Sequence, residues 1–91
     1  MTWLARVHVL LKPVVNDPQG QSVQGGLKSL GFDSVQRVRA GKYFEIQLDA
    51  TSADEAERRA GEMCRKLLAN PVIEDYRVAV EEQQDITADT V

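Results

Sequence analysis

Between Trp3 and Lys12 the chain alternates without a break. Trp3, Ala5, Val7, Val9 and Leu11 fall on one side, and Leu4, Arg6, His8, Leu10 and Lys12 on the other. A period of two is that of a strand. One side is apolar and the other mixed, so this strand is expected to be covered on one face only. A chain of 91 residues then has to find its cover within a single small domain. Such a domain hides only about three-fifths of its unfolded surface, which makes assembly with other chains a natural source of stability.

The elements that follow are marked by their ends. Asp17 is placed as an N-cap with Pro18 at the first helical position, where a missing N–H costs nothing. Val23, Leu27 and Leu30 then form one helical stripe, and Gly31 supplies a left-handed C-terminal cap. Gly20, Gly25 and Gly26 weaken this helix by about 1 kcal/mol each relative to alanine, so packing has to hold it. Val35–Ala40 and Tyr43–Asp49 read as two strands joined by a tight reversal at Ala40-Gly41-Lys42. Ser52 and Glu55 form a capping box for a second helix, whose buried stripe is Ala53, Ala56, Ala60, Met63 and Leu67 and which ends at Asn70-Pro71. In the last strand Tyr76, Val78 and Val80 face one way and Asp75, Arg77, Ala79 and Glu81 the other. The tail from residue 83 to 91 shows no period and is expected to be disordered, leaving one domain over residues 1–82.

The order strand, helix, strand, strand, helix, strand predicts an α+β fold. It is the ferredoxin-like βαββαβ sandwich: a four-stranded antiparallel sheet with two helices on one face. The other sheet face is left open, carrying Arg6, His8, Leu10, Tyr43, Glu45, Gln47, Arg77 and Ala79, plus either Arg37 and Arg39 or Val38 according to the register of the second strand. A mixed face of that kind suits a partner protein.

Composition narrows the chemistry. The net charge is −3, and residues 51–91 hold ten acidic against five basic side chains, which disfavours a polyanionic partner. RNA-binding modules of this topology stack bases on aromatics of the central strands. Here Tyr43 is the lone aromatic on the open face of its strand, with Arg6 and His8 on the neighbouring one. Gly41-Lys42 lacks the rest of a phosphate-binding loop, since Gln36 stands at the first glycine position and Tyr43 at the last. One cysteine and one histidine cannot build a structural zinc site. Cys64 reads as a small buried hydrophobe, and the alternation puts His8 on the far side of the sheet from it, which excludes a Cys-His nucleophile. Glu74 and Asp75 are adjacent in a strand and point apart, so they cannot act as an acid–base pair. No apolar run is long enough to span a bilayer, and Arg6 and His8 interrupt the N-terminal one, so a cytoplasmic location is expected. No catalytic residue, cofactor site or metal site is expected in this chain.

Three segments carry a resemblance: NDPQG before the first helix, VQRVRAGKYFEI from Val35 to Ile46, and MCRKLLANPVIEDYRV from Met63 to Val78. Together they are similar to the PurS family, the small subunit of phosphoribosylformylglycinamidine synthase in purine biosynthesis. The likeness runs over residues 3–82; Gly25-Gly26 and the polar extension after Glu82 depart from it. The resemblance implies a subunit with no active site of its own, acting as a homodimer that can pair into a tetramer. It would bridge a large PurL-type synthetase, which holds ATP and magnesium, and a PurQ-type glutaminase that releases ammonia. Candidate subunit contacts are Arg37, Arg39, Lys42, Tyr43, Asp75, Tyr76 and Arg77. From other classes, an ACT-like domain binding a small effector and an RNA-binding module share the element order.

Overall fold

The computed structural model describes residues 1–83, so most of the tail lies outside the described residues, while Gln83 itself closes a strand. The order is β1 (Thr2–Leu11), α1 (Pro18–Ser29), β2 (Gly41–Asp49), α2 (Ala53–Met63), a π-helical turn (Cys64–Leu68) and β3 (Glu74–Gln83). The three strands form one antiparallel sheet in the order β2-β1-β3, with β1 central.

The alternation in β1 is realised as expected. Ala5, Val7 and Val9 are fully or almost fully buried under α2, while His8 on the opposite side is exposed. Phe44, Ile46, Tyr76 and Val78 pack from the flanking strands against Val7, Val9, Cys64 and Ala69. A second cluster gathers Trp3, Ala50 and Ala56, with Leu48 and Val80 beside them. The helix ends also follow the residues. Asp17 accepts the Gly20 N–H, Gly31 adopts φ +97°, and Ser52 Oγ accepts the Glu55 N–H. The returning arm of the capping box lands one residue early, with Glu55 accepting from Thr51 N–H and Oγ1.

Two expectations about the strands are corrected. The sheet among the described residues has three strands, because Val35–Ala40 joins no ladder. The chain also makes no reversal at Ala40-Gly41-Lys42; it runs straight from Val35 into β2. Gly41 has no positive φ. It is required instead because it faces Leu10 in the ladder, where a Cβ would overlap the Val9 carbonyl oxygen and come within 2.6 Å of Leu10 Cδ2. The Ala40 N–H is taken by Asp17 Oδ2 at 3.0 Å, and Pro13 ends the stretch of β1 against which a longer strand could pair.

The helical stripes differ as well. Of the first helix only Gly20 is buried; Leu27 is half-buried while Val23 and Leu30 stay exposed, so the stripe is mostly uncovered among the described residues. On the second helix the inward line is Ala56, Ala60, Cys64 and Leu68, whereas Leu67 is 83% exposed. The outline is correspondingly open, 47 × 34 × 17 Å with a radius of gyration of 16.9 Å, against about 12–13 Å for a compact chain of this length. No helix among the described residues is long and apolar enough to cross a membrane.

Candidate functional site: an open sheet face and its basic end

The uncovered face carries a row across all three strands. Tyr43, His8 and Arg77 lie directly opposite one another in the ladders. The His8 and Tyr43 rings sit 4.8 Å apart at 39°, a tilted contact of the kind aromatic pairs favour. Tyr43 Oη donates to Glu45 at 2.9 Å, and this bond, with partial burial, raises the phenol above its ordinary value. In the next row Arg6 pairs with Glu81; their hydrogen bond raises the guanidinium and lowers the carboxyl. The charges on this face are therefore largely matched internally, while the aromatic rings and Arg77 remain available.

At one end of the sheet the arginines of the Val35–Ala40 segment fold back onto the chain leaving β1. Arg37 donates to the Pro13 carbonyl at 3.3 Å and Arg39 to the Leu11 carbonyl at 2.5 Å. Neither has a carboxylate within salt-bridge distance among the described residues. Arg39 lines two adjacent hollows, one with His8, Leu10, Asp75, Tyr76 and Arg77, the other with Arg37, Lys12 and Asp17. The fold thus gathers four of the seven candidate residues, Arg39, Asp75, Tyr76 and Arg77, at one hollow, with Arg37 next to it.

Asp75 is held by Lys12 at 3.3 Å, and Tyr76 turns to the helix side, where its hydroxyl accepts from Arg65 at 3.2 Å. Lys42 also points to the helix side, reaching the Leu68 carbonyl at 3.2 Å and Glu74 at 3.7 Å. Tyr43 stands apart from the hollow, at the far end of its row.

Asp17 is the residue whose part here exceeds what its sequence position announces. It was legible as a helix cap, but it also accepts the Ala40 N–H from 23 residues away, a contact no local pattern encodes. Its bonds from Gly20 and Ala40, with Arg39 and Arg37 nearby, hold the carboxyl below the ordinary 3.8. Glu55, bonded by Thr51, lies below 4.5 in the same way. A carboxyl lowered on folding adds stability above its unfolded value and loses it as pH falls through the folded one. Acid unfolding is therefore expected to set in as pH drops through the range below about 4, and Asp17→Asn should flatten that limb. Thermal unfolding followed from pH 6 to pH 3 checks it; an unchanged slope in the variant contradicts the role given to Asp17.

Cys64 is wholly buried, and burial pushes its thiol above the ordinary 9.0, which keeps it protonated at neutral pH and a poor nucleophile. Among the described residues no three His, Cys, Asp or Glu side chains are grouped to hold a metal ion.

A small α+β domain that leaves a sheet face uncovered, and dresses it with tyrosine and arginine, is built as a protein-assembly module. Comparison with known proteins makes this particular. The family described as PurS, phosphoribosylformylglycinamidine (FGAM) synthase, matches residues 4–82. The PurS subunit of phosphoribosylformylglycinamidine synthase of Bacillus subtilis is 51% identical over 77 residues, 85% of this chain and 90% of its own. The solved PurS of Thermus thermophilus superposes with a TM-score of 0.82 at 42% identity, covering 92% of this chain and 100% of that one. A chain of the PurLQS structure from Thermotoga maritima superposes with a TM-score of 0.81 at 26% identity, covering 89% and 99%. The chain belongs to the PurS family, a subunit of FGAM synthase.

Proposed function

We propose that this chain is the non-catalytic connector of a glutamine-dependent FGAM synthase, joining a PurL-type synthetase to a PurQ-type glutaminase in the cytoplasm. ATP and magnesium then belong to the large subunit, and this chain binds no cofactor. Ammonia released at the glutaminase has to reach the synthetase as the neutral base, because ammonium has no lone pair for attack and free solution would dilute it. A connector that fixes the two sites relative to each other serves that transfer by holding geometry. The Thermotoga PurLQS structure supports this reading by its composition.

The observation that carries the proposal is the incompleteness of the chain alone. Val35–Ala40 alternates in sequence like a strand but pairs with no strand among the described residues, and Val23, Leu30 and Phe32 on the chain before it are exposed. A second copy that offered a sheet edge to Val35–Ala40 and cover to α1 would complete both. The four-stranded ferredoxin-like sheet would then exist between two copies, which is our reading of the homodimer. The open face and its basic end are left for the larger subunits, through Arg37, Arg39, Tyr43, Asp75 and Arg77, with Lys42 and Tyr76 bracing the same end from the helix side.

Replacing Arg37, Arg39 and Tyr43 together with alanine is expected to weaken co-elution with the larger subunits by about tenfold or more, while the isolated variant keeps its circular-dichroism spectrum. All three side chains are exposed, so the core is untouched. Unchanged co-elution would remove these residues from the interface.

A further inference from the structure

The basic end of the sheet carries more positive charge than its own acids can match. Two hollows meet at Arg39: one is lined by Lys12, Arg37 and Asp17, the other by His8, Asp75 and Arg77. Counting histidine as neutral, four cations there face two carboxylates, a surplus of two positive charges in a chain whose net charge is −3. Both carboxylates are already engaged. Asp17 accepts the Gly20 N–H through Oδ1 at 2.9 Å and the Ala40 N–H through Oδ2 at 3.0 Å, and Asp75 is taken by Lys12 at 3.3 Å. Arg77, like Arg37 and Arg39, has no carboxylate within salt-bridge distance among the described residues.

The two arginines of the first hollow are also held in place. Each spends an N–H on a carbonyl of the chain leaving β1, Arg37 on Pro13 and Arg39 on Leu11. A guanidinium has about five such donors, so most remain free on each. The two carbonyls are close in sequence, which ties both heads to one short stretch and sets them along the same hollow. Anchoring in advance lowers the ordering cost of binding a ligand. The charge and the donors together set its class. A carboxylate brings two oxygens and one charge, which a single guanidinium satisfies. A phosphate monoester brings three acceptor oxygens and nearly two charges at neutral pH, which suits both forks and the surplus. A longer polyanion would meet the acidic remainder of the chain. Because the donors are side chains, the glycine-rich loop that Gly41-Lys42 lacks is not required.

We infer that the Lys12–Arg37–Arg39 hollow binds one phosphate group, free or carried by a small phosphorylated molecule. The site goes beyond the connector reading and does not depend on it, since phosphate binding is measured on this chain by itself and co-elution on the complex.

The full chain is titrated with inorganic phosphate and, separately, with glycerol 3-phosphate and acetate, at constant ionic strength and with amide NMR shifts as the readout. Saturable binding of the phosphates is expected, with the shifts centred on Lys12, Asp17, Arg37 and Arg39. Arg37→Ala and Arg39→Ala should each weaken it about tenfold. Arg39→Lys, which keeps the charge and loses the fork, should still bind more weakly than the wild type. Lys28→Ala removes a charge from the last turn of α1, outside the hollow, and should change nothing. Tighter binding of glycerol 3-phosphate assigns the site to a phosphorylated small molecule and tighter binding of inorganic phosphate to the free ion; either order supports it. An unsaturable response, or equal losses in Lys28→Ala and Arg39→Ala, shows general screening and overturns the inference. Acetate bound as tightly as phosphate overturns it too.

Discussion

Gly41→Ala is expected to be the most damaging single-methyl change in the chain. The added Cβ meets the Val9 carbonyl oxygen and the Leu10 side chain at the point where β2 lies opposite β1. Backbone cannot move out of the way there without opening the ladder, so the overpacking penalty should be about 3 kcal/mol. In a domain of this size that lowers the melting midpoint by roughly 10–20 °C. The same substitution at Gly25 or Gly26 should act in the opposite direction. Both lie inside α1, and nothing stands within 4 Å of their would-be Cβ atoms, so alanine gains about 0.5–1 kcal/mol of helix propensity. Melting of the three variants side by side separates close approach from mere flexibility. A Gly41→Ala protein that melts with the wild type would show that the Leu10–Gly41 register is wrong.

Trp3→Ala should rank beside it. Trp3 is 9% exposed, closes the cluster with Ala50 and Ala56, and donates from Nε1 to the Ala50 carbonyl at 3.2 Å. The indole ties the start of β1 to the chain that leaves β2 for α2. Removing it costs the burial of a large ring and leaves a cavity, about 3–5 kcal/mol, which is a large share of what a domain this small has to spare. Trp3→Phe keeps most of the burial and loses the hydrogen bond, so it should cost about 1–2 kcal/mol beyond the change in ring size. Urea unfolding of both variants checks the order; an alanine variant as stable as the phenylalanine one would deny the cluster its role.

What the residues announce, and what they do not, divides along physical lines. The faces of β1, β2 and β3 were legible because a two-residue period leaves no ambiguity about which side is apolar. The caps at Asp17, Gly31 and Ser52 were legible because each is set by chemistry within four residues. Gly41 was misread because glycine serves both turns and close approaches, and only the partner strand decides which. Leu67 was misread because helical periodicity assumes 3.6 residues per turn, and the π turn shifts the inward line to Cys64 and Leu68.

Val35–Ala40 was misread for a different reason. Its alternation is that of a strand, but without a reversal at Ala40-Gly41-Lys42 the segment is not brought back to the outer edge of β2, and it pairs with no strand among the described residues. Of the candidate site, the exposure of Tyr43 and Arg77 followed from the pattern, while that of Arg37 and Arg39 hung on a strand register the residues left open. The helix-side placement of Tyr76 followed from the same period, whereas the bonds of Lys42 to Leu68 and of Asp17 to Ala40 depended on contacts between residues distant in sequence.

The most direct test of the connector role is reconstitution of the synthase from its two larger subunits with and without this chain. Product formation is measured once with glutamine and once with ammonium salt as nitrogen source. Glutamine-dependent synthesis should fall to background when the chain is withheld, while ammonia-dependent synthesis persists at a comparable rate. Glutamine-dependent synthesis that proceeds undiminished without the chain would contradict the account at its centre.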